Sequence, residues 1–268
     1  MILTLQEKAE WLDACRRGMP ARGRKKAMNT ETTSPPSGLA SPSCCPSLPV
    51  PFYDRDGITI YHGDCKEIVP MLGRFDLLLT DPPYGIGRDG SKRTTSKHGG
   101  RKAYDFLGWD AERTPAWLIG MLLDAAEKHI VWGGNYFVDS LPPTMKWLVW
   151  DKGQRIAQSD GELAWTSLEG AMRIHTLNRV ALMQDGAEHP TQKPEQLIRW
   201  CIQQAGEVQT ILDPFAGSGT TGRAAKDLGK RAVLIEREER FCEIAARRLS
   251  QDVLPFNSDN DKVSDPRQ

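Results

Sequence analysis

The sequence predicts an α/β protein built on a doubly wound, mostly parallel sheet, and three observations carry that reading. Beyond Pro51, short apolar runs alternate with segments of helical spacing. The apolar run Phe75–Thr80 suits a strand buried on both faces. Two of these runs close on polar, proline-bearing turns: Asp81-Pro82-Pro83-Tyr84 after Thr80, and Asp213-Pro214-Phe215-Ala216-Gly217-Ser218-Gly219-Thr220-Thr221 after Leu212. Ligands bind beyond the carboxyl ends of parallel strands, so two such exits imply two adjoining half-sites.

Taken in order, residues 4–17 are expected to form a short amphipathic helix. Residues 30–51, with six prolines and Glu31 as the one charged residue, have the composition of a linker with no core of its own. Gly57–Tyr61 then reads as a strand, Cys65–Leu72 as a helix, Phe75–Thr80 as a strand, and Pro115–Lys128 as a helix with proline near its start. His129–Trp132 and Lys146–Trp150 read as strands around a short helical piece at Asn135–Leu141, and further strands are expected near Glu162–Trp165 and Met172–Thr176. The alternation resumes with helix Pro194–Ala205, strand Thr210–Leu212, helix Thr220–Leu228, strand Arg231–Ile235 and helix Arg237–Leu249. The expected division is a disordered or weakly helical extension and linker over 1–51, a catalytic domain over 52–252 and a disordered tail over 253–268.

A chain of 268 residues with 39% hydrophobic content supports a full core. Lys plus Arg and Asp plus Glu stand at 35 each, which excludes a chain-wide positive field, so any contact with nucleic acid must come from local patches. The six cysteines form no CxxC pair and no Cys/His cluster of zinc spacing, so no metal is expected, and Cys65, Cys201 and Cys242 read as core thiols. No apolar run approaches the roughly 18–20 residues that span a bilayer, and the first residues lack a basic start followed by an apolar stretch. A cytoplasmic protein without a membrane partner is the expectation.

Gly217-Ser218-Gly219-Thr220-Thr221-Gly222 fits G-x-G-x-x-G between a strand and a helix, where glycines let the backbone approach a ligand. Glu236 follows the next strand, where a carboxylate accepts hydrogen bonds from both hydroxyls of a ribose. The pair points to a nucleoside-containing cofactor, NAD or S-adenosylmethionine. Asp213, just ahead of the loop, favours the second, because it attracts an ammonium group and repels a pyrophosphate.

Asp81-Pro82-Pro83-Tyr84 fits a flat base bearing an exocyclic amine. That nitrogen is a poor nucleophile because its lone pair is delocalised into the ring. A carboxylate on one N–H and a rigidly held carbonyl on the other draw it toward tetrahedral geometry, while Tyr84 offers a face for stacking.

With these motifs the chain resembles the beta-class amino-group DNA methyltransferases, whose base-side motif reads Asp/Asn/Ser-Pro-Pro-Tyr/Phe and whose cofactor motif reads Phe-x-Gly-x-Gly. The order here is base motif, then His189-Pro190-Thr191-Gln192-Lys193-Pro194, then Asp213-Pro214-Phe215-Ala216-Gly217-Ser218-Gly219, over about residues 57–250. The resemblance implies the Rossmann-like fold of S-adenosylmethionine-dependent methyltransferases, with S-adenosylmethionine as cofactor and DNA as substrate. It also implies a catalytic group of Asp81, Pro82, Pro83 and Tyr84, in which Asp81 and the Pro82 carbonyl hold the amine and Tyr84 stacks on the flipped base. Asp213, Phe215, Gly217, Gly219 and Thr220 would line the methionine portion, Glu236 the ribose and Asp64 the cofactor adenine, and Thr191 and Lys193 would close over the cofactor. Serine at the first motif position is commoner where cytosine N4 is the target, so Asp81 favours adenine N6.

For DNA, the run Arg88–Lys102 follows the base motif and carries Arg88, Lys92, Arg93, Lys97, Arg101 and Lys102 with Asp89 as its one acid. Phosphate contact is the expected role. The cluster Arg16, Arg17, Arg22, Arg24, Lys25 and Lys26 lacks that positional support. No large recognition insertion is evident, which leaves residues 85–115 and 152–188 to read sequence and makes a short or relaxed site, with help from a homodimer, the expectation. Cytosine-N4 methylation stands as the alternative, ahead of an NAD-dependent oxidoreductase or an inactive DNA-binding module. Whether a cognate restriction endonuclease accompanies the chain is open.

Overall fold

The computed structural model of the chain describes residues 48–87, 110–153, 159–178 and 192–251. It opens with a hairpin that the sequence reading did not contain: β1 (Tyr53–Arg55) pairs antiparallel with β2 (Ile58–His62). The turn is Asp56-Gly57, with φ of 53° and 77°. Positive φ at both positions is the requirement of a two-residue hairpin whose twist matches its strands, and Asp-Gly meets it.

Helix α1 (Cys65–Ile68) is shorter than expected and passes into a 3-10 turn at Val69–Met71, where Pro70 removes the donor for an α-helical bond. Then come β3 (Phe75–Thr80), α2 (Ala116–Asp124) and β4 (Ala126–Trp132). The expected helix to Lys128 stops four residues early: Ala125 caps it, and Ala126 and Lys128 pair with Phe75 and Leu77 in the sheet. The helical piece near Asn135 is a single 3-10 turn at Gly134–Tyr136. Three strands follow, β5 (Leu148–Asp151), β6 (Gly161–Thr166) and β7 (Arg173–Thr176), so part of the stretch assigned to reading DNA belongs to the sheet. Helix α3 (Glu195–Gln204), β8 (Thr210–Asp213), α4 (Thr220–Asp227), β9 (Arg231–Glu236) and α5 (Glu239–Leu249) complete the order.

The nine strands form one sheet in the order β1-β2-β9-β8-β3-β4-β6-β5-β7. From β2 to β4 every neighbour is parallel, while β6 runs antiparallel to β4 and to β5. Alternate side chains feed two cores. Ile58, Ile60, Leu77, Leu79, Ile130 and Trp132 face α3, α4 and α5 through residues such as Leu197, Cys201, Ala224 and Cys242. Tyr61, Leu78, Val131 and Leu212 face the other layer, where α1 and α2 contribute Ile68, Leu118 and Leu122. This is the doubly wound, mostly parallel α/β architecture expected. No described helix is long and apolar enough to cross a membrane.

Candidate active site

Because β2, β9, β8, β3 and β4 are parallel, their last residues His62, Glu236, Asp213, Thr80 and Trp132 stand side by side along one edge. Between β8 and β3 the chain's direction of progress reverses, and such a switch point opens a crevice for ligand. The two motif-bearing exits adjoin there: Leu77 and Leu78 are in register with Ile211 and Leu212, and Thr80 Oγ1 donates to Asp213 Oδ1 at 3.1 Å. A continuous cleft of about 1170 Å³ runs over them, lined from Asp64 through Asp213 to Asp81 and Glu162. One small-molecule site usually occupies roughly 300–1,000 Å³, so this cleft has room for a cofactor and part of a second ligand.

On the cofactor side Glu236 ends β9 and is held in place by two backbone donors. Gly217 N–H reaches Oε2 and Glu238 N–H reaches Oε1, each at 2.8 Å. Burial raises its carboxyl above the usual glutamate range against the pull of those bonds. Gly219 sits at φ 77°, and a Cβ there would stand 2.7 Å from Ala245 Cβ, so the loop lies flat on α5 only with glycine. Arg248 clamps the same loop through Ser218 O at 2.7 Å and Thr220 Oγ1 at 3.3 Å, and Gln192 Oε1 accepts from Ser218 Oγ at 2.9 Å. Phe215 and Gly217 line the cleft between the loop and Glu236. A carboxylate fixed by two backbone donors, a close-approach glycine loop and an aromatic wall fit the nucleoside and methionine parts of S-adenosylmethionine.

Two predicted cofactor residues have additional structural partners. Asp213 is buried, accepts from Thr80 Oγ1, from Phe215 N–H at 3.2 Å and from Thr221 Oγ1 at 2.6 Å, and thereby ties the loop and α4 to both central strands. Burial pushes its carboxyl up to about 6. Asp64 caps α1 by accepting from Lys66 N–H at 2.9 Å while still lining the cleft.

The base side is built on Tyr84. Asp110 Oδ1 takes the Tyr84 N–H at 2.8 Å and the Gly85 N–H at 2.9 Å, and Pro83 O accepts from Thr114 N–H at 3.1 Å, so the Pro-Pro-Tyr turn is fixed from outside. The Tyr84 ring packs on Gly133, where φ is 66° and a Cβ would lie 2.0 Å from Tyr84 Cε1. Its face carries the ring of Tyr136, stacked at 4.7 Å and 15°. Burial, then the charge of Asp81, raises the Tyr84 hydroxyl well above its ordinary value, so it is a donor, and it donates to Asp81 Oδ1.

Lys193, expected to close over the cofactor, lines the cleft, and its buried ammonium reaches Asp81 Oδ2, with Glu162 Oε2 at 3.5 Å and the Trp132 ring centroid at 5.0 Å. Burial disfavours its charge, but Asp81 and Glu162 outweigh this and hold the ammonium above its ordinary value. Glu162 also binds Lys152 at 2.8 Å. Both residues arrive through topology. Since β6 is antiparallel to β4, its first residues lie at the carboxyl edge, and since β5 is antiparallel to β6, Lys152 just beyond β5 lies there too. Asp110, Glu162 and Lys152 were not among the expected site residues.

Thr191 and the expected DNA contacts Arg88, Lys92, Arg93, Lys97, Arg101 and Lys102 lie outside the described residues, as do the N-terminal helix of 4–17 and its basic cluster. Cys65, Cys201 and Cys242 are buried free thiols, with Cys65 and Cys242 pushed up to about 12 chiefly by burial.

Comparison with known proteins agrees with this geometry. The family model described as DNA methylase, of the N6/N4 type, matches residues 127–247. A protein named Type II methyltransferase M2.LlaDCHI, from Lactococcus lactis subsp. cremoris, is 46% identical over 252 residues, spanning 75% of this chain and 92% of that relative. Type II methyltransferase M2.DpnII from Streptococcus pneumoniae is 51% identical over 63 residues, 23% of this chain and 24% of that relative. Among solved structures, the PvuII DNA methyltransferase (cytosine-N4-specific) aligns with a TM-score of 0.50 and 14% identity over 74% of this chain and 88% of that one, a likeness of fold alone. The M1.HpyAVI–SAM complex aligns with a TM-score of 0.48 and 22% identity over 72% of this chain and 100% of that one.

Proposed function

The chain belongs to the DNA methylase family that modifies the exocyclic amines of adenine N6 and cytosine N4, and from that premise we propose that it transfers a methyl group from S-adenosylmethionine to N6 of a flipped adenine in DNA. The observation that carries this reading is the placement of Asp81 and Glu236 on either side of Asp213 along one strand edge, with Asp213 hydrogen-bonded to Thr80, the residue before Asp81. Bound S-adenosylmethionine supplies an electrophilic methyl on a sulfonium. Every other requirement falls to the chain.

Glu236, with its oxygens aimed by Gly217 and Glu238, holds the ribose, while the Gly217–Thr220 loop and Phe215 hold the methionine portion and Asp64 the adenine. Asp81 accepts one N–H of the target amine and the Pro82 carbonyl the other, and Pro83, anchored through Thr114, keeps that carbonyl in place. The amine nitrogen then presents its lone pair to the methyl group. Methyl transfer forms the N–C bond as the S–C bond breaks, and Asp81 is placed to accept the proton that leaves the nitrogen. No covalent intermediate is needed, in keeping with buried thiols held in their neutral form.

Flipping a base costs a few kcal/mol, offset by aromatic stacking of about 1–3 kcal/mol. Tyr136 is 38% exposed at the rim and already stacked on Tyr84, so an incoming base exchanges one ring for another on that face. DNA is held by the basic run from Arg88 to Lys102. With β6 and β7 in the sheet, less of residues 152–188 is free to read sequence, which supports a short or relaxed recognition site.

Aspartate at the first motif position favours adenine over cytosine. Digestion of DNA methylated by the purified protein, with mass spectrometry of the nucleosides, decides the target: N6-methyladenine is expected. N4-methylcytosine would replace that assignment, and neither product on mixed-sequence duplex would end the enzymatic reading.

A further inference from the structure

Asp81, the carboxylate on which the proposed reaction depends, has both of its oxygens engaged. Tyr84 Oη donates to Oδ1 and Lys193 Nζ to Oδ2. Each oxygen can accept more than one bond, but a target amine arriving at Oδ2 meets the Lys193 ammonium already seated there. Tyr84 is held by its backbone bonds to Asp110 and by packing on Gly133. Lys193 is the donor with somewhere to go: Glu162 Oε2 lies 3.5 Å from its Nζ, and Glu162 is itself steadied through Oε1 by Lys152 at 2.8 Å. The side chain of Lys193 is only 7% exposed, so an ammonium leaving Asp81 without a partner would be a buried unpaired charge, which is strongly unfavourable. The two lysines, Lys193 first, also hold the Glu162 carboxyl below its usual range against its own burial, so Glu162 is charged and ready to receive the ammonium.

We propose that Glu162 is a positioning residue of the base site, the second seat to which Lys193 shifts when the target amine takes Asp81. This rests on the methyl-transfer reading given above. In the free protein Lys193 neutralises Asp81 and keeps the pocket filled. On entry of the base, a small rotation carries Nζ onto Glu162, and Asp81 Oδ2 becomes the acceptor for the amine. No bond other than hydrogen bonds and ion pairs changes, and no charge leaves the pocket. The shift couples arrival of the correct functional group, an N–H donor, to exposure of the acceptor it needs, since a base edge presenting a carbonyl gains nothing from a bared carboxylate.

The test is a double-mutant cycle on single-turnover methylation of duplex DNA, with S-adenosylhomocysteine affinity and thermal melting measured on every variant. Glu162→Gln is expected to slow methyl transfer at least tenfold in the wild-type background while cofactor affinity stays within twofold, and Glu162→Asp, which keeps the charge, to recover most of the rate. With the ammonium removed by Lys193→Met, Glu162→Gln is expected to cost nothing further. An equal loss from Glu162→Gln in both backgrounds, a Glu162→Asp variant no better than Glu162→Gln, or a Lys193→Met protein with no turnover would each overturn the proposal. Should Glu162→Gln melt early, Lys152→Met loosens the same seat from the other side and must show the same dependence on Lys193. An inactive wild type would remove the methyl-transfer reading and this inference together, whereas an active wild type with an additive cycle removes this inference alone.

Discussion

Thr80 Oγ1 and Asp213 Oδ1 meet at 3.1 Å across the boundary between β3 and β8, so the residue before the base motif and the residue that opens the cofactor motif are bonded to each other. The carboxylate that makes this bond is buried, and burial raises its pKa from 3.8 to about 6 against the pull of Thr221, Phe215 and Thr80. A carboxyl whose folded pKa exceeds its unfolded one binds its proton more tightly when folded. Its stabilising contribution is complete below the unfolded value and is lost as pH rises through the folded one. Asp213→Asn, neutral throughout, should therefore gain on the wild type by roughly 2 kcal/mol between pH 4 and pH 7, at about 1.4 kcal/mol per pKa unit. Urea unfolding of both proteins across that range measures the difference. Parallel stability curves would mean that Asp213 ionises as an ordinary surface carboxyl.

Gly133 makes a prediction about the base side alone. A methyl group there would stand 2.0 Å from the Tyr84 ring and on a backbone at φ 66°, so Gly133→Ala must push Tyr84 off its seat. A stability loss of about 1–3 kcal/mol is expected. Methylation should fall by at least a hundredfold, with S-adenosylhomocysteine binding, measured by calorimetry, within a few-fold of wild type. Retained turnover would show that the position of Tyr84 is not what the base requires.

The sheet, its parallel centre and the two motif exits were legible in the sequence because each is local. A run such as Phe75–Thr80 declares its burial, and a glycine loop after Thr210–Asp213 declares a turn. What escaped depends on pairing between distant segments. Glu162 looks like the first polar residue of an ordinary strand, and only the antiparallel placement of β6 beside β4 brings it to the carboxyl edge of the parallel strands. Lys193 lies in a segment whose Gln192 reaches the glycine loop, and nothing in its local sequence shows that the lysine side chain turns to Asp81. The Asp56-Gly57 hairpin was a local signal that went unread, and the overrun of α2 came from continuing a helical pattern into residues that the sheet claims.

The two halves of the cleft should separate cleanly by mutation. Glu236→Ala removes the proposed ribose acceptor and frees the N–H groups of Gly217 and Glu238, which is expected to cost about 1.4–3 kcal/mol, or roughly 10- to 100-fold in affinity for S-adenosylmethionine. Gly219→Val drives a branched side chain toward Ala245 at a left-handed backbone position and should weaken the cofactor at least as much. Asp81→Ala should abolish detectable turnover while cofactor affinity measured by calorimetry stays within a few-fold of wild type. The opposite pattern, with Asp81 controlling cofactor affinity and Glu236 controlling only turnover, would mean that the two halves have been exchanged.

DNA affinity supplies a prediction that depends on charge count and not on shape. The chain carries no net charge, so long-range attraction to a duplex must be local, and the six cations between Arg88 and Lys102 are the densest run beside the base motif. If each meets one phosphate, log K falls against log salt with a slope near −5, since each neutralised phosphate contributes about −0.9. Replacing Lys92, Arg93 and Lys97 by alanine should then reduce that slope by about 3 and weaken binding to every sequence alike, because phosphate contacts carry no base information. Titrations between 50 and 200 mM salt, by roughly the span over which such contacts dominate, read both effects. A slope unchanged by the triple substitution would move the phosphate contacts elsewhere on the chain. A slope reduced together with a changed sequence preference would mean that the same run reads bases as well as holding the backbone.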